Sequence, residues 1–120
     1  MRKLTFLIFF SFLIGCSINQ SIEPTFGASY TINLNEQSPL IQSDSLIVSL
    51  SYSGCSDLHS FILQKHISSS TSEIWLFKET ADQPCDGIVQ EERSFEITEE
   101  IRTSKSIVFV TPKEETVILK

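Results

Sequence analysis

Glycine and proline are scarce in this chain, with four of each in 120 residues. A collagen-like or low-complexity polymer is therefore excluded. Basic residues are also few: nine Lys and Arg stand against fifteen Asp and Glu, a net charge of −6. They form no run, which argues against nucleic-acid binding, where affinity comes from neutralising phosphates. The same lack argues against polybasic attachment to lipid headgroups. No G-x-S-x-G, H-E-x-x-H or glycine-rich phosphate loop occurs. Only His59 and His66 are available as bases for a serine triad. Ser53 and Asp57 lie near His59, but neighbouring positions on a strand face different ways. The pairs Glu91 with Glu92, Glu99 with Glu100 and Glu114 with Glu115 read as solvated acids. Adjacent strand residues cannot flank one substrate bond as a glycosidase requires. The expectation is no enzyme and no cofactor.

The N-terminus carries an address. Arg2 and Lys3 precede an apolar stretch, residues 4–14, interrupted by Ser11 and, near its start, Thr5. As a helix this stretch spans roughly 17 Å, short of a bilayer core of about 30 Å. It has the form of a secretory leader. Leu13, Ile14, Gly15 and Cys16 then closely resemble the lipobox of bacterial lipoproteins. The resemblance implies cleavage before Cys16, diacylation of that cysteine and anchoring without a spanning helix. Each buried CH₂ of an acyl chain adds about 0.8 kcal/mol, and one chain alone holds only marginally. Ser17, in place of Asp, implies the outer membrane of the cell envelope. Read instead as a plain leader, Cys16 is an ordinary small residue near the cleavage point.

Three regions follow: leader 1–15, a polar tether 16–27 after the lipidated Cys16, and one domain, 28–120. The tether reaches about 40 Å when extended. Without Arg2 and Lys3 the remainder carries seven basic against fifteen acidic side chains, net −8. One core of this size is viable but marginal, so a covalent staple would help.

The domain reads as short strands with period-two alternation. Residues 28–34 set Tyr30, Ile32 and Leu34 on one face. Residues 45–52 set Leu46, Val48, Leu50 and Tyr52 together. Residues 58–65 place Phe61 and Leu63 on the face of His59, with Leu58 and Ile62 opposite. A serine-rich turn, 68–72, looks too polar to bury. Residues 73–78 follow with Trp75, then a loop, 80–87. Residues 88–97 have a polar middle, 90–93, that predicts an edge strand or a bulge. One helical turn is expected at 99–103, and 106–110 with 115–119 predict a hairpin. About seven strands with regular turn signals predict an antiparallel, immunoglobulin-like β-sandwich. A small up-and-down barrel is the alternative, because periodicity does not show closure.

Two cysteines remain beyond Cys16. In an oxidising compartment Cys55 and Cys85, both in expected loops, would pair as a disulfide. Closing a loop of this length contributes roughly 3–4 kcal/mol in the chain-entropy view. The alternative is a metal site in which Cys55, His59, Cys85 and Asp86 supply S, N, S and O ligands. It needs reduced thiolates and has neither a C-x2-C nor an H-x3-H pair. With Phe61 and Leu63 on its face, His59 also reads as a half-buried histidine bonded to backbone.

The order Gly54, Cys55, His59 and Phe61, then Asp82 to Cys85, then Phe95 to Ile97, resembles NigD-like lipoproteins in their C-terminal β-sandwich domain. The resemblance covers roughly residues 45–98. It implies a surface or periplasmic lipoprotein, an immunoglobulin-like sandwich and a disulfide between Cys55 and Cys85. It implies no activity and no catalytic residues, and the separate N-terminal barrel of longer members is missing here. The functional expectation is a membrane-anchored domain that binds an unidentified protein partner or contributes to envelope structure. The alternative is an acidic inhibitor of a basic secreted enzyme such as lysozyme. A zinc or thiol enzyme requires free Cys55 and Cys85.

Overall fold

The computed structural model describes residues 23–120. The expected leader, Cys16 and most of the expected tether lie outside the described residues. Among the described residues eight strands occur: β1 (Thr31–Ile32), β2 (Leu40–Gln42), β3 (Ser45–Ser53), β4 (Phe61–Ser68), β5 (Thr71–Lys78), β6 (Ile88–Glu96), β7 (Ser106–Val110) and β8 (Thr116–Ile118). A single helical turn, α1 (Glu99–Arg102), joins β6 to β7. The first sheet is built on β3, with β6 on one side and β1 and β2 sharing the other; the second runs β4-β5-β7-β8. Neither sheet closes, so the fold is a β-sandwich and not a barrel.

Alternation makes the core. Leu46, Val48 and Leu50 of β3 are fully buried, as are Ile74 and Leu76 of β5 and Phe109 of β7. Tyr30, Tyr52 and Phe61 connect the sheets. The Phe61 ring lies 5.3 Å from that of Tyr30 and 5.6 Å from that of Tyr52. Each buried apolar side chain of this size contributes about 1.5–3 kcal/mol. One pairing departs from the expected antiparallel pattern. β5 and β7 run parallel from Thr71↔Ser106 to Ile74↔Phe109. A parallel pair requires a long connection, and here the chain crosses to the first sheet as β6 and returns through α1.

β1 and β2 act as one interrupted edge strand. Between them, where β3 would lack a partner, Ser38 Oγ accepts the Ser49 N–H at 2.7 Å. β6 is the expected edge strand, without a bulge: its register is continuous from Ser45↔Glu96 to Ser53↔Ile88. The 68–72 segment corrects an expectation. Ser72 is fully buried in β5, and its hydroxyl is satisfied by a hydrogen bond with the buried Ser104 hydroxyl. Packing also begins before residue 28. Lys78 N donates to Phe26 O at 2.9 Å and Ala28 N donates to Lys78 O at 3.0 Å. Gly27 makes this approach possible at φ 74°, because a Cβ there would stand 2.3 Å from Lys78 O.

Two hairpins turn on two residues each, and the first loop residue has positive φ: 58° at Ser43 and 57° at Ser69. A non-glycine residue pays roughly 1–2 kcal/mol in that region, against 0.5–1 kcal/mol of extra chain entropy for glycine. Ser69→Gly is expected to raise stability by about 0.5–1 kcal/mol, seen as a higher urea midpoint at unchanged slope. A lower midpoint would show that the serine side chain, not backbone strain, dominates this turn.

Candidate functional site

The register of β3 with β6 decides where the polar middle of β6 points. Leu50 faces Glu91 and Val48 faces Arg93, so both charged side chains share the inward face of the sheet. Glu91 is therefore not the solvated acid its neighbour Glu92 is. Its side chain is only 19% exposed and accepts from Arg93 Nε at 2.8 Å. Arg93 Nη2 lies 3.2 Å from the other carboxylate oxygen, which also accepts from the Tyr52 hydroxyl. Arg93 Nη2 donates to His59 O as well, and the guanidinium lies 5.0 Å from the Phe61 ring centroid.

Two loops close over this cluster. Cys55 and Cys85 form a disulfide across 30 residues, with Cα atoms 5.5 Å apart. Gly54 N donates to Gly87 O at 3.2 Å. Gln83 Oε1 accepts from Cys55 N at 2.9 Å and lies 3.1 Å from His59 Nε2. An amide oxygen only accepts, so His59 Nε2 is the protonated ring nitrogen here. The ring is 2% exposed and stacks on Tyr52 with centroids 4.4 Å apart. Gly54 leaves room for it, since a Cβ there would stand 2.7 Å from Nε2. His59 Nδ1 has no partner among the described residues. At the same end, the fully buried Lys78 donates to Thr80 O at 2.7 Å and lies 3.7 Å from an Asp82 carboxylate oxygen. Its ammonium is 5.2 Å from the Tyr52 ring centroid.

Charges and hydrogen bonds set the protonation states. Burial, reinforced by the Glu91 carboxylate beside it, pushes the Tyr52 phenol up to about 12. Burial works against the charged form of Glu91. The Arg93 and Tyr52 hydrogen bonds, with the charge of Arg93, outweigh that and hold it below the usual carboxylate range. The hydrogen bond to Glu91 raises Arg93 in turn. A phenol held above its unfolded value near 10 stabilises the fold below that pH, and the contribution is lost as pH rises through 12. Tyr52→Phe is thus expected to be less stable at neutral pH, by about 1 kcal/mol for the lost hydrogen bond. Its stability should also fall less between pH 10 and 12 in circular-dichroism melts. Parallel alkaline curves for the two proteins would assign the transition elsewhere.

Chemically, the arrangement holds loops in place. The two sulfurs are bonded to each other, the phenol stays protonated at neutral pH, and the imidazole is enclosed. Among the described residues no group of three or more His, Cys, Asp or Glu side chains is placed to hold a metal ion. Of the expected ligands, Cys55, Cys85 and His59 do come together at one end, as a disulfide and a packed ring. His66 is elsewhere. It faces outward on β4, opposite Glu73, and with Pro24, Phe26 and Val110 lines a surface cavity of about 430 Å³. Sequence reading missed Tyr52, Lys78, Gln83, Glu91 and Arg93 as members of the cluster. The phase of β6 held a usable signal for two of them: Val89, Glu91, Arg93 and Phe95 alternate on one face. No protein-family model matches this chain, and no curated protein or solved structure is significantly similar to it.

Proposed function

We propose that the chain is a lipid-anchored lipoprotein of the bacterial cell envelope, whose β-sandwich is a non-enzymatic binding domain. Cys16 carries the anchor and the disulfide end presents the contact loops. The observation that carries this reading is the treatment of the reactive side chains. Cys55, Cys85, Tyr52, Glu91 and Arg93 are all committed to one another or to holding the 54–60 and 79–87 loops. A disulfide in so small a domain also accords with export to an oxidising compartment. The NigD-like resemblance in this stretch favours the same assignment. The two loops together display Leu58, 82% exposed, with the exposed acids Asp57, Glu79, Asp82 and Asp86 around the staple. That surface also supports a second reading, an inhibitor that docks on a basic secreted enzyme.

The experiment is intact-mass spectrometry and membrane fractionation of the protein from its host. The expected result is an acylated N-terminal Cys16 in the membrane fraction, released by Cys16→Ala. Unchanged fractionation of that variant would sink the anchor. Binding to lysozyme at low salt, weakening as salt screens the acids, is the outcome expected of the inhibitor reading. No binding at low salt eliminates it.

A further inference from the structure

The free edge of β6 has a defined polarity of hydrogen-bonding groups. Gly54 N donates to Gly87 O at 3.2 Å and Ile97 N donates to Asp44 O at 3.0 Å. Both contacts continue the β3–β6 register. Hydrogen-bonded pairs in an antiparallel ladder recur at every second residue. Val89, Glu91, Arg93 and Phe95 therefore turn their N–H and C=O groups toward β3. Ile88, Gln90, Glu92, Ser94 and Glu96 turn theirs away, and no other described strand pairs with β6.

Sheet edges are commonly blunted by short strands, bulges, lysine or proline. β6 is nine residues long, is free of bulges and contains neither Lys nor Pro. Its inward charge is cancelled, since Arg93 neutralises Glu91. Its remaining protection is the exposed Glu92 and Glu96, which repel acidic strands but not basic ones. The other edges differ. β1, β2 and β8 are two or three residues long. β4 carries Lys65, tied to Glu100 of α1 at 2.9 Å. Along β6 the side chains of Gln90, Glu92, Ser94 and Glu96 are exposed, two of them acidic and none basic.

We propose that β6 is a docking edge for an extended basic segment of a partner protein, which adds to the first sheet as a further strand. Main-chain bonds to Gln90, Glu92 and Ser94 supply affinity. Lys or Arg at alternate positions of the incoming strand face Glu92 and Glu96. A second copy of this chain fits less well: two-fold pairings of β6 centred on Glu92 or Ser94 set glutamate opposite glutamate, which is destabilising. The inference goes beyond the stapled loops and the lipid anchor, and it stands or falls without them.

The test titrates the full chain with a fluorescent alternating Lys-Thr peptide of about ten residues. The comparison is the same peptide N-methylated throughout, which keeps the charge, removes its N–H donors and keeps it from pairing along a strand edge. The unmethylated peptide is expected to bind at least about tenfold more tightly and to slow amide exchange at Gln90, Glu92 and Ser94. Ser94→Pro removes one outward N–H without touching the ladder to β3, and should abolish the slowed exchange. Glu92→Lys with Glu96→Lys should weaken binding by about tenfold or more, with folding checked by its melting curve. Equal binding of the methylated peptide, or protection confined to other amides, overturns the proposal. So does a dimer of the chain that protects these same amides.

Discussion

Arg93→Met is expected to destabilise the sandwich by about 3 kcal/mol, the low end of what breaking a buried pair costs. The low end applies because 23% of the Arg93 side chain and 19% of the Glu91 side chain still reach solvent. The guanidinium binds the Glu91 carboxylate, the His59 carbonyl and the Phe61 ring at once. Its removal leaves a carboxylate between two sheets with only the Tyr52 hydroxyl for company. Urea unfolding with the disulfide intact measures the loss. Glu91→Leu in the Arg93→Met background should recover part of it, because no orphan charge then remains. Additive losses in the two single variants would show that the pair does not act as a unit. The same pair gives an acid limb. Glu91 titrates lower in the folded state than its unfolded value near 4.3, so its stabilisation is complete above that pH and fades as pH falls through the folded value. Glu91→Gln should flatten that limb.

Removing the staple is the second large effect. Cys85→Ser with Cys55→Ser, or reduction, is expected to cost roughly 3–4 kcal/mol, the loop-closure value for a separation of 30 residues. For a domain this small that is a large fraction of net stability. The damage should be ordered. Gln83 is held beside His59 and Cys55 N from a loop without regular structure, so the 79–87 loop should lose protection first. Amide exchange should therefore accelerate at Gly54 and Cys55 before Leu50 or Leu76 responds. A uniform rise across β3 and β5 would mean that the loops and the core open together. A loss below about 1 kcal/mol would mean that the hydrogen bonds of Gln83 and Gly54 hold the loops unaided.

Strand β3 was legible because alternation there is clean and Leu46, Val48, Leu50 and Tyr52 share the inward face. Strand β5 was legible from its apolar run, residues 74–77, although its inward Ser72 and Lys78 are polar. The hairpin of β7 and β8 and the single turn of α1 were legible for the same local reasons. At β4 the reading ran ahead of the fold: Leu58 and His59 look like strand residues, but the strand begins at Phe61. Gly54 and the disulfide hold that segment as a loop, and neither constraint shows in hydropathy. Residues 28–34 shrink to Thr31–Ile32 because the chain leaves the ladder after Asn33, whose N–H still donates to Ser49 O, and Ser38 then takes the place against Ser49. The parallel β5–β7 pair joins segments about 35 residues apart, beyond the reach of any local pattern. The cluster stayed hidden for a simpler reason. Glu91 and Arg93 occupy core-facing positions while looking like surface residues, and two charges that cancel leave no trace in a hydrophobic pattern. Gln83 carries no local signal for its role at all.

Lys78 sits at a mechanical junction. On one side it pairs with Phe61, and on the other its backbone grips Phe26 and Ala28. Under the proposed anchoring at Cys16, tension between membrane and partner would enter the sandwich here. A pull along the strand loads the Phe26 and Ala28 hydrogen bonds in shear, so that they must yield together and do not unzip one after another. The load passes straight into β5, an interior strand whose neighbours brace it on both edges. A domain hung from its middle can transmit force without being peeled open.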